Sequence, residues 1–257
     1  MKNEPLLNYR IVGNGYSVLF LHGFLEDRSM WSFLTNKLPH HQLILIDLPG
    51  HGGSMNSQRV NSIPEMARAV ARLLDELNIA SCSCVGHSLG GYVGLELTST
   101  FPSLISRLVL LNSHPWPDSP SKKQERKRVA QVVAKNKSLF LETAIPNLYI
   151  DPTAHRQAIY DLIKAARQLP KEQIIAVIHA MRKRSAQEET LKHKAKEALI
   201  IHGANDPLID TNKIIKFVKK SGNNLTLLQH AGHMSHQESE HEVTSTLYRF
   251  LSLETDS

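Results

Sequence analysis

The sequence predicts an α/β fold in which a mostly parallel sheet is covered by helices on both faces. Short runs of apolar and β-branched residues alternate with helical periods in the first half of the chain and again near its end. This alternation is typical of successive strand–helix units. Residues 42–47 and 107–111 are apolar almost throughout, as strands buried on both faces are. Residues 115–198 show helical periods only, which indicates an all-helical insert between the two parts of the sheet.

Composition fits a folded globular chain that is not held together by disulfide bonds. Of the 257 residues, 41% are hydrophobic and 21% are charged, which excludes wholesale disorder. The only two cysteines, Cys82 and Cys84, are one residue apart and too few for a disulfide framework. No apolar run approaches the roughly 18 residues of a membrane-spanning helix. The N-terminal segment from Met1 to Pro5 lacks the apolar h-region of a signal peptide. We therefore expect a cytoplasmic protein with no part in the membrane.

The first elements are predicted to be two strands joined by a tight turn. Residues 6–12 and 16–21 have strand composition and flank Gly13-Asn14-Gly15. A short glycine-rich connection of this kind predicts an antiparallel hairpin. Residues 42–47 follow as a strand that is buried on both faces.

A helix is predicted next, over residues 63–77, where apolar side chains recur at three- and four-residue steps. Ser62 with Glu65 forms a capping pattern, and Pro64 suits the first turn. The remaining elements of the first half are predicted to be a strand at 81–86, a helix at 89–100 and a strand at 107–111.

The second half divides into the insert and a return of the strand–helix rhythm. Helical periods in the insert fall at 124–135, 153–169 and 171–184, and strands and helices then alternate at 198–202, 211–220, 225–229 and 238–253. We predict that residues 1–114 and 199–257 form one core. Residues 115–198 would be a helical cap, or lid, with no linkers of its own.

The basic character of the chain belongs to the insert. The whole chain has a formal charge of +6, whereas residues 115–198 carry +8 and the remainder carries −2. An anion or nucleic-acid surface is one interpretation, and solvated helix faces are the other. The densest basic runs, residues 122–128 and 182–184, contain no interleaved aromatic residues, and no nucleic-acid motif accompanies them. We therefore favour solvated faces and predict no nucleic-acid partner.

The strongest chemical signal is Gly86-His87-Ser88-Leu89-Gly90, which matches G-x-S-x-G. The motif alone is a weak signal, but here a predicted strand precedes it and a predicted helix follows. A serine at such a junction occupies a sharp, strained turn that lifts its hydroxyl above the sheet edge. Gly86 and Gly90 give the turn room, because a side chain there would collide with neighbouring elements. Ser88 is therefore the predicted nucleophile.

A serine nucleophile needs a base and an acid that orients the base, here in the chain order serine, acid, histidine. Asp206 follows a predicted strand and is the predicted acid. Asp210 is the rival, but it precedes a helix and is better suited to cap it. His233 follows a glycine after the last predicted strand and is the predicted base. We prefer it to His230, which is closer to the strand end.

Two backbone N–H groups are predicted to stabilise the oxyanion, those of Leu89 after the nucleophile and Phe24 in an early loop. His22, in the same loop, is a candidate substrate contact, although a role in bracing the loop is the favoured interpretation. The C-terminal histidines match no zinc spacing, and no phosphate-binding glycine loop is present. We therefore predict neither a metal nor a cofactor.

Taken together, these motifs are similar to those of a known superfamily. The chain resembles the α/β-hydrolase superfamily through five ordered segments: 21–24, 47–54, 86–91, 202–206 and 232–233. The resemblance implies an eight-stranded, mostly parallel sheet with a helical cap after the sixth strand. It also implies a triad of Ser88, His233 and Asp206 that works without a cofactor.

Branches of this superfamily differ in ways that the sequence addresses. Dehalogenases and epoxide hydrolases use an aspartate where Ser88 stands, which argues against both. The lyase of menaquinone biosynthesis is similar around residues 22–25, but it carries an arginine where this chain has Tyr92. Haloperoxidases without a cofactor and C–C bond hydrolases share the triad and remain open.

The function that we predict is hydrolysis of small carboxylic esters through an acyl-enzyme. The alternatives are a triad-dependent C–C hydrolase or lyase that acts on an anionic substrate, and a ligand receptor that retains the triad. Candidate apolar contacts to a small-molecule substrate are Trp31, Trp116, Leu148, Tyr149 and Phe24. The sequence does not predict an oligomeric state.

Overall fold

The computed structural model describes residues 7–56 and 62–252. Within them one sheet has seven strands: β1 (Tyr9–Val12), β2 (Tyr16–Leu21), β3 (His41–Ile46), β4 (Cys82–His87), β5 (Ile105–Leu111), β6 (Ala198–Gly203) and β7 (Asn224–Leu228). The order across the sheet is β1-β3-β2-β4-β5-β6-β7, and all neighbours are parallel except β1 and β3. The predicted α/β class is confirmed, with seven strands in these residues where eight were expected.

Ten α-helices accompany the described strands. They are α1 (Ile63–Glu76), α2 (Leu89–Thr100), α3 (Pro120–Lys135), α4 (Lys137–Ala144), α5 (Arg156–Ala166), α6 (Lys171–Lys183), α7 (Glu188–His193), α8 (Thr211–Ser221), α9 (Ser235–Glu238) and α10 (Glu240–Ser252). Helix α1 begins as the sequence predicts, because the Ser62 hydroxyl accepts from the Glu65 N–H at 3.3 Å. The predictions for Leu6, Leu253 and the five N-terminal residues lie outside the described residues.

Two buried clusters, one on each face of the sheet, hold the core together. Along β2, Leu19 and Leu21 belong to one cluster, whereas Val18 and Phe20 belong to the other. This is the alternation that a pleated strand imposes when both faces are covered. Helices α1 and α2 complete the first cluster and α10 completes the second.

The predicted hairpin of β1 and β2 is wrong. Strand β1 pairs with β3, antiparallel, with Tyr9 opposite Ile46. Both edges of β2 are already occupied by parallel partners, β3 and β4. Gly13 and Gly15 do turn the chain at positive φ, 79° and 112°, but the turn leads β1 past β2 to the outer edge of β3. The turn composition was therefore correct and the pairing it predicted was not.

Between β5 and β6 the described chain is helical, from α3 to α7, with no strand. The predicted stretches correspond to α3, α5 and α6, whereas α4 and α7 were not predicted. We call residues 115–198 the helical insert. It follows the fifth strand of the described sheet, not the sixth. Its buried residues Val133, Leu141 and Val177 belong to the same cluster as residues of α1 and α2, so the insert packs onto the core.

The parallel direction of the strands determines where the site residues lie. The carboxyl ends of β2, β4, β5, β6 and β7 meet at one edge of the sheet because these strands run in the same direction. The loops that leave this edge carry Phe24, Ser88, Asn112, Asp206 and His233. Among the described helices, none combines the length and the apolar character needed to cross a membrane.

Candidate active site

Ser88 occupies a strained turn between β4 and α2. Its φ is +47° and its ψ is −109°, a conformation that non-glycine residues rarely adopt. A Cβ at Gly86 would come within 2.4 Å of the Gly90 carbonyl oxygen, and a Cβ at Gly90 within 2.2 Å of the Leu21 carbonyl oxygen. The two glycines thus allow strand, turn and helix to pack closely. Ser113 contributes a further tie, since its hydroxyl donates to the Ser88 carbonyl oxygen at 2.8 Å.

Ser88, His233 and Asp206 form a continuous hydrogen-bonded chain. Ser88 Oγ lies 3.0 Å from His233 Nε2, and His233 Nδ1 lies 2.8 Å from Asp206 Oδ2. A carboxylate only accepts, so Nδ1 carries a hydrogen, and the neutral ring then offers Nε2 as an acceptor to the Ser88 hydroxyl. The three residues predicted from sequence are therefore brought together with the proton arrangement that activates a serine.

The Asp206 carboxylate is buried and fully engaged. Its Oδ1 accepts from the N–H groups of Leu208 and Ile209 at 2.8 and 3.1 Å. Its Oδ2 accepts from the Asn112 side-chain amide at 2.9 Å, in addition to His233. Burial alone would raise the pKa of Asp206, but His233 and the hydrogen bonds lower it to about 2. The carboxylate is therefore an ionised, fixed acceptor at neutral pH.

Asn112 is a site residue that the sequence reasoning missed. It follows β5 directly, has a positive φ of 44° and is fully buried. Its amide donates both to Asp206 and, at 2.8 Å, to the Gly232 carbonyl oxygen, while its oxygen accepts from Ser235. It therefore joins the acid loop to the histidine loop. Its place at the carboxyl end of a buried parallel strand was the signal that could have found it.

The two rival residues lie elsewhere. Asp210 caps α8, since its Oδ1 accepts from the N–H groups of Asn212 and Lys213 at 2.9 and 3.3 Å. His230 is exposed in the turn after β7. The structure therefore places neither of them in the Ser88 chain.

Phe24 and Leu89 lie on adjacent loops. Strands β2 and β4 pair in parallel with Leu21 opposite Gly86, so the loops that follow them emerge side by side. Leu89 is the first residue of α2, where N–H groups have no intrahelical acceptor. Phe24 lines the same cavity as Ser88. This arrangement is compatible with two N–H groups directed at one oxygen beside Ser88.

A second carboxylate–histidine pair lies behind the first. Glu26 Oε2 is 2.7 Å from His87 Nδ1, and the same oxygen accepts from the Gly23 N–H at 2.7 Å. His87 Nε2 is 3.0 Å from the His233 carbonyl oxygen. A carbonyl oxygen only accepts, so His87 donates from Nε2, and it also donates from Nδ1 to the carboxylate. His87 is therefore an imidazolium paired with an ionised Glu26.

The electrostatics of this pair agree with its geometry. Burial alone would raise the pKa of Glu26, but the charge and hydrogen bond of His87 lower it to about 2. Burial alone would lower the pKa of His87, but Glu26 and the hydrogen bond to the His233 carbonyl outweigh it and raise the pKa. The pair ties together the loops that carry Gly23, Ser88 and His233. Sequence reasoning missed it because only the adjacency of β2 and β4 brings Glu26 to His87.

His236 lies beside this pair, with its Nε2 3.6 Å from Glu26 Oε1. Glu26, His87 and His236 have donor atoms within 4.8 Å of one another, a composition that can hold a metal ion. However, both ring nitrogens of His87 already contact acceptors. The observed arrangement is thus explained by an ion pair. Burial lowers the pKa of His236 to about 3, so this ring is neutral.

Ser88 opens into a cavity of about 450 Å³ between the core and the helical insert. Its apolar lining includes Phe24, Val129, Phe140, Ile145, Leu148, Ile178 and Met234. Trp116 lines it too, as expected for a substrate contact. Tyr149 does not: it is buried and its hydroxyl donates to Gln237 at 2.6 Å. A second cavity of about 420 Å³, beside the Arg28–Asp47 ion pair, contains neither Ser88 nor His233.

Two other predicted contacts are not part of the cavity lining. Trp31 is fully buried against Phe20 in the cluster on the α10 face of the sheet. His22 is fully buried and donates from Nδ1 to the Gly23 carbonyl oxygen at 2.7 Å, while its Nε2 accepts from the Leu48 N–H at 2.9 Å. Burial lowers the pKa of His22, in keeping with a neutral ring. His22 therefore braces its loop.

Two arginines of the basic insert point inward. Arg126 Nε and Arg184 Nη1 lie 2.5 and 2.6 Å from the two oxygens of Asp118, which is buried. Lys127 and Arg128, next to Arg126, are exposed. The basic runs thus include both solvated residues and residues that line the Ser88 cavity, a mixture that charge counting alone does not separate.

Comparison with known proteins identifies the family and the fold. A sequence model described as the α/β hydrolase fold matches residues 16–240. An esterase of Thermogutta terrifontis, solved with malate bound, superposes with a TM-score of 0.86 at 26% identity, over 95% of this chain and 92% of that one.

Two curated relatives extend the comparison beyond esterases. The dihydrolipoyllysine-residue acetyltransferase component of an acetoin cleaving system from Pseudomonas putida is 28% identical over 244 residues. The match covers 92% of this chain but 64% of that protein, so this chain spans less than two thirds of the relative's length. A putative 2-succinyl-6-hydroxy-2,4-cyclohexadiene-1-carboxylate synthase from Bacillus subtilis is 31% identical over 113 residues, 43% of this chain and 41% of that one.

Proposed function

The chain belongs to the α/β-hydrolase fold family, and on that premise we propose that it is a serine hydrolase that cleaves small carboxylic esters through an acyl-enzyme. The observation that carries the proposal is the hydrogen-bonded chain from Ser88 Oγ through His233 to Asp206, with Ser88 in a strained turn at the cavity floor. A hydroxyl at such a position is both exposed to a substrate and connected to a base.

The first half of the reaction forms the acyl-enzyme. Ser88 Oγ attacks the ester carbonyl carbon while His233 Nε2 takes the hydroxyl proton. The tetrahedral intermediate then collapses, the C–O bond to the alcohol breaks, and His233 returns the proton to the departing alcohol oxygen. In the second half a water molecule repeats these steps and releases the carboxylic acid.

The other residues of the site stabilise the charges that develop in the reaction and orient His233. Asp206 keeps the hydrogen of His233 on Nδ1 and stabilises the imidazolium that forms in each half-reaction. The N–H groups of Phe24 and Leu89 are proposed to donate to the oxyanion. Loss of one such donor costs about 10²- to 10³-fold in turnover in serine hydrolases that have been studied.

The size and the lining of the cavity support the proposal that the acyl group is small and largely apolar. Its volume of about 450 Å³ lies in the usual range for small-molecule sites, and its lining beside Ser88 is mostly aliphatic and aromatic. The helical insert supplies much of this lining, which supports the view that it acts as a cap over the nucleophile.

The test is turnover of p-nitrophenyl butyrate by the wild type and by Ser88→Ala. We expect measurable multiple turnover in the wild type and a loss of at least about 10⁴-fold in the variant, because the acyl-enzyme can no longer form. Thermal unfolding should show that the variant is folded.

Ser245→Ala is a matched control, because its hydroxyl contacts only the Glu242 carbonyl oxygen, on α10 and away from the cavity. It should retain full turnover. A fully active Ser88→Ala would contradict the proposal. A wild type that binds the ester but turns it over less than once would also contradict it, and would favour a receptor or a C–C hydrolase or lyase instead.

A further inference from the structure

One wall of the Ser88 cavity is a continuous row of rings that ends in a lysine. The Tyr92 hydroxyl lies 3.2 Å from His114 Nε2, and the His114 and Trp116 rings stack with centroids 5.1 Å apart. Lys213 Nζ lies 3.9 Å from the centroid of the Trp116 ring. All four residues line the cavity that contains Ser88. The row therefore connects the nucleophile's helix, α2, with a positive charge on α8.

Proton counting shows that the Tyr92 hydroxyl is available to a ligand. The Trp116 N–H donates to His114 Nδ1 at 3.2 Å, so Nδ1 carries no hydrogen. A neutral imidazole then carries its hydrogen on Nε2, which donates to the Tyr92 oxygen at 3.2 Å. Arg184 Nη2, which only donates, lies at the longer distance of 3.5 Å from the same nitrogen. The hydrogen of the Tyr92 hydroxyl has no acceptor among the described residues. It is a free donor beside Ser88, one helical turn along α2.

The charges around this row do not balance. Arg126 and Arg184 share a single carboxylate, Asp118. The guanidinium of Arg184 lies 4.1 Å from the centroid of the Tyr92 ring. Lys213 Nζ lies over the Trp116 ring, and in residues 7–56 and 62–252 no carboxylate lies within ion-pair distance of it.

The remaining acidic groups that line the cavity are already engaged. Glu125 pairs with Lys122 at 2.7 Å, Glu26 pairs with His87, and Asp210 caps α8. Over the whole lining, the positive groups (His87, Lys122, Arg126, Arg184 and Lys213) therefore outnumber the carboxylates (Glu26, Asp118, Glu125 and Asp210) by one. The pKa of His114 reflects the excess: burial lowers it first, and the positive charges of Arg184, Lys213 and Arg126 lower it further, well below its ordinary value.

We infer that the ester cleaved at Ser88 carries a carboxylate, which Lys213 binds over the Trp116 ring, while the Tyr92 hydroxyl donates to an oxygen of the same substrate closer to Ser88. The stacked His114 and Trp116 rings cover the carbon chain between the two polar contacts. This inference rests on the proposed function, since it names the substrate class of the same site. A carboxylate on an otherwise apolar ester also accounts for a cavity that has a large apolar lining and more cations than carboxylates.

Two pairs of esters test the inference, one for each side of the scissile bond. On the acyl side, the mono-p-nitrophenyl ester of adipic acid is compared with the p-nitrophenyl ester of its monoamide. On the alcohol side, 4-carboxyphenyl butyrate is compared with 4-carbamoylphenyl butyrate. Within each pair the amide is a neutral copy of the carboxylate with nearly the same shape.

We expect the wild type to prefer the carboxylate member of at least one pair by about tenfold in kcat/KM, because a charge-assisted contact is made only by that member. Lys213→Met should reduce the ratio to about one. Lys216→Met, on the same helix but outside the cavity lining, should keep the ratio of the wild type. Tyr92→Phe should slow both members of a pair equally, since its contact does not depend on the charge.

The inference is overturned if neither pair shows a preference, or if the Lys213→Met ratio equals that of the wild type. An unchanged Tyr92→Phe overturns the role given to its hydroxyl. Failure of the proposed function looks different, because then none of the four esters is turned over. In that case the affinities of the two phenyl butyrates for Ser88→Ala, measured by calorimetry, still decide the question. Roughly tenfold tighter binding of the carboxylate, lost when Lys213 is also replaced, supports the subsite. Equal affinity for the two compounds contradicts it.

Discussion

The site contains two buried carboxylate–histidine pairs that look alike and differ in one contact. In each, a carboxylate oxygen lies within 2.8 Å of a histidine Nδ1: Asp206 with His233, and Glu26 with His87. All four side chains are almost fully buried. The second ring nitrogen distinguishes them. His233 Nε2 faces the Ser88 hydroxyl at 3.0 Å, whereas His87 Nε2 faces the carbonyl oxygen of His233 itself, also at 3.0 Å.

This difference decides what each pair can do. A hydroxyl can donate or accept, so His233 can receive a proton and give it back. A carbonyl oxygen only accepts, so His87 keeps its Nε2 hydrogen and cannot pass it to the group that this nitrogen faces. The first pair is suited to acid–base chemistry. The second is a fixed ion pair that holds the backbone of the first in place.

The largest expected effect comes from Asp206→Asn. Oδ1 of residue 206 accepts from two backbone N–H groups, so the Asn oxygen takes that place and its NH₂ group faces His233 Nδ1. The NH₂ donates, which moves the histidine hydrogen to Nε2, where it can no longer accept the Ser88 proton. We expect kcat for p-nitrophenyl butyrate to fall about 10⁴-fold, as it does when the corresponding aspartate is replaced in serine proteases.

Asp210→Asn is the matched control for this change. Asn caps helices about as well as Asp, so α8 should be unaffected and turnover should stay close to that of the wild type. If Asp206→Asn keeps a tenth or more of the wild-type kcat, or if the two variants lose activity equally, the assignment of Asp206 as the orienting acid is wrong.

The second pair should respond in stability first and in activity second. Glu26→Gln keeps an oxygen that can accept from Gly23 and His87, but it removes the negative charge and leaves the imidazolium buried without a counter-charge. We expect the free energy of unfolding to fall by about 3 kcal/mol. We expect kcat to fall only about tenfold, since the loops that carry the reacting groups shift slightly. Urea unfolding and steady-state kinetics measure the two effects.

Glu142→Gln provides the comparison for an exposed pair, because Glu142 contacts Arg167 on the surface of the insert. It should cost less than about 1 kcal/mol and leave kcat unchanged. An equal cost for the two variants would show that burial adds nothing to the Glu26–His87 pair. A loss of kcat as large as that of Asp206→Asn would mean that the two pairs do not differ as we describe.

The first pair could be predicted from sequence and the second could not, for a physical reason. Ser88, Asp206 and His233 each follow a recognisable strand, and parallel strands gather their carboxyl ends at one edge. His87 stands in the same motif as Ser88, but its partner comes from the loop after β2. Only the strand order, with β2 next to β4, brings Glu26 to it. Local patterns locate the ends of strands and do not give their order.

The same limit explains the other departures. The hairpin of β1 failed because turn composition does not reveal that both edges of β2 are occupied. Trp31 and Tyr149 are predicted substrate contacts because their rings are largely apolar, but composition does not tell which buried cluster such a ring joins. Asn112 and Lys213 act through partners on other elements. The fold class, the strained turn at Ser88 and the helical insert could be predicted because each depends on periodicity or on a local motif.

The smallest expected effect is the pH dependence of the second pair. Glu26 has an ordinary pKa of 4.5 and a pKa of about 2 in the folded protein. The unfolded chain therefore takes up a proton as the pH falls through 4.5, whereas the folded protein does so only near 2. The stability that Glu26 contributes is present above pH 4.5 and is lost as the pH falls towards 2. We expect the cost of Glu26→Gln, measured from urea midpoints at about pH 6, 4 and 3, to shrink steadily, by roughly 2 kcal/mol in total. The cost of Glu142→Gln should stay small throughout. If the loss of unfolding free energy caused by Glu26→Gln does not change with pH, this carboxylate is not ionised in the folded protein. The distinction between a fixed ion pair and a pair that transfers protons would then not hold.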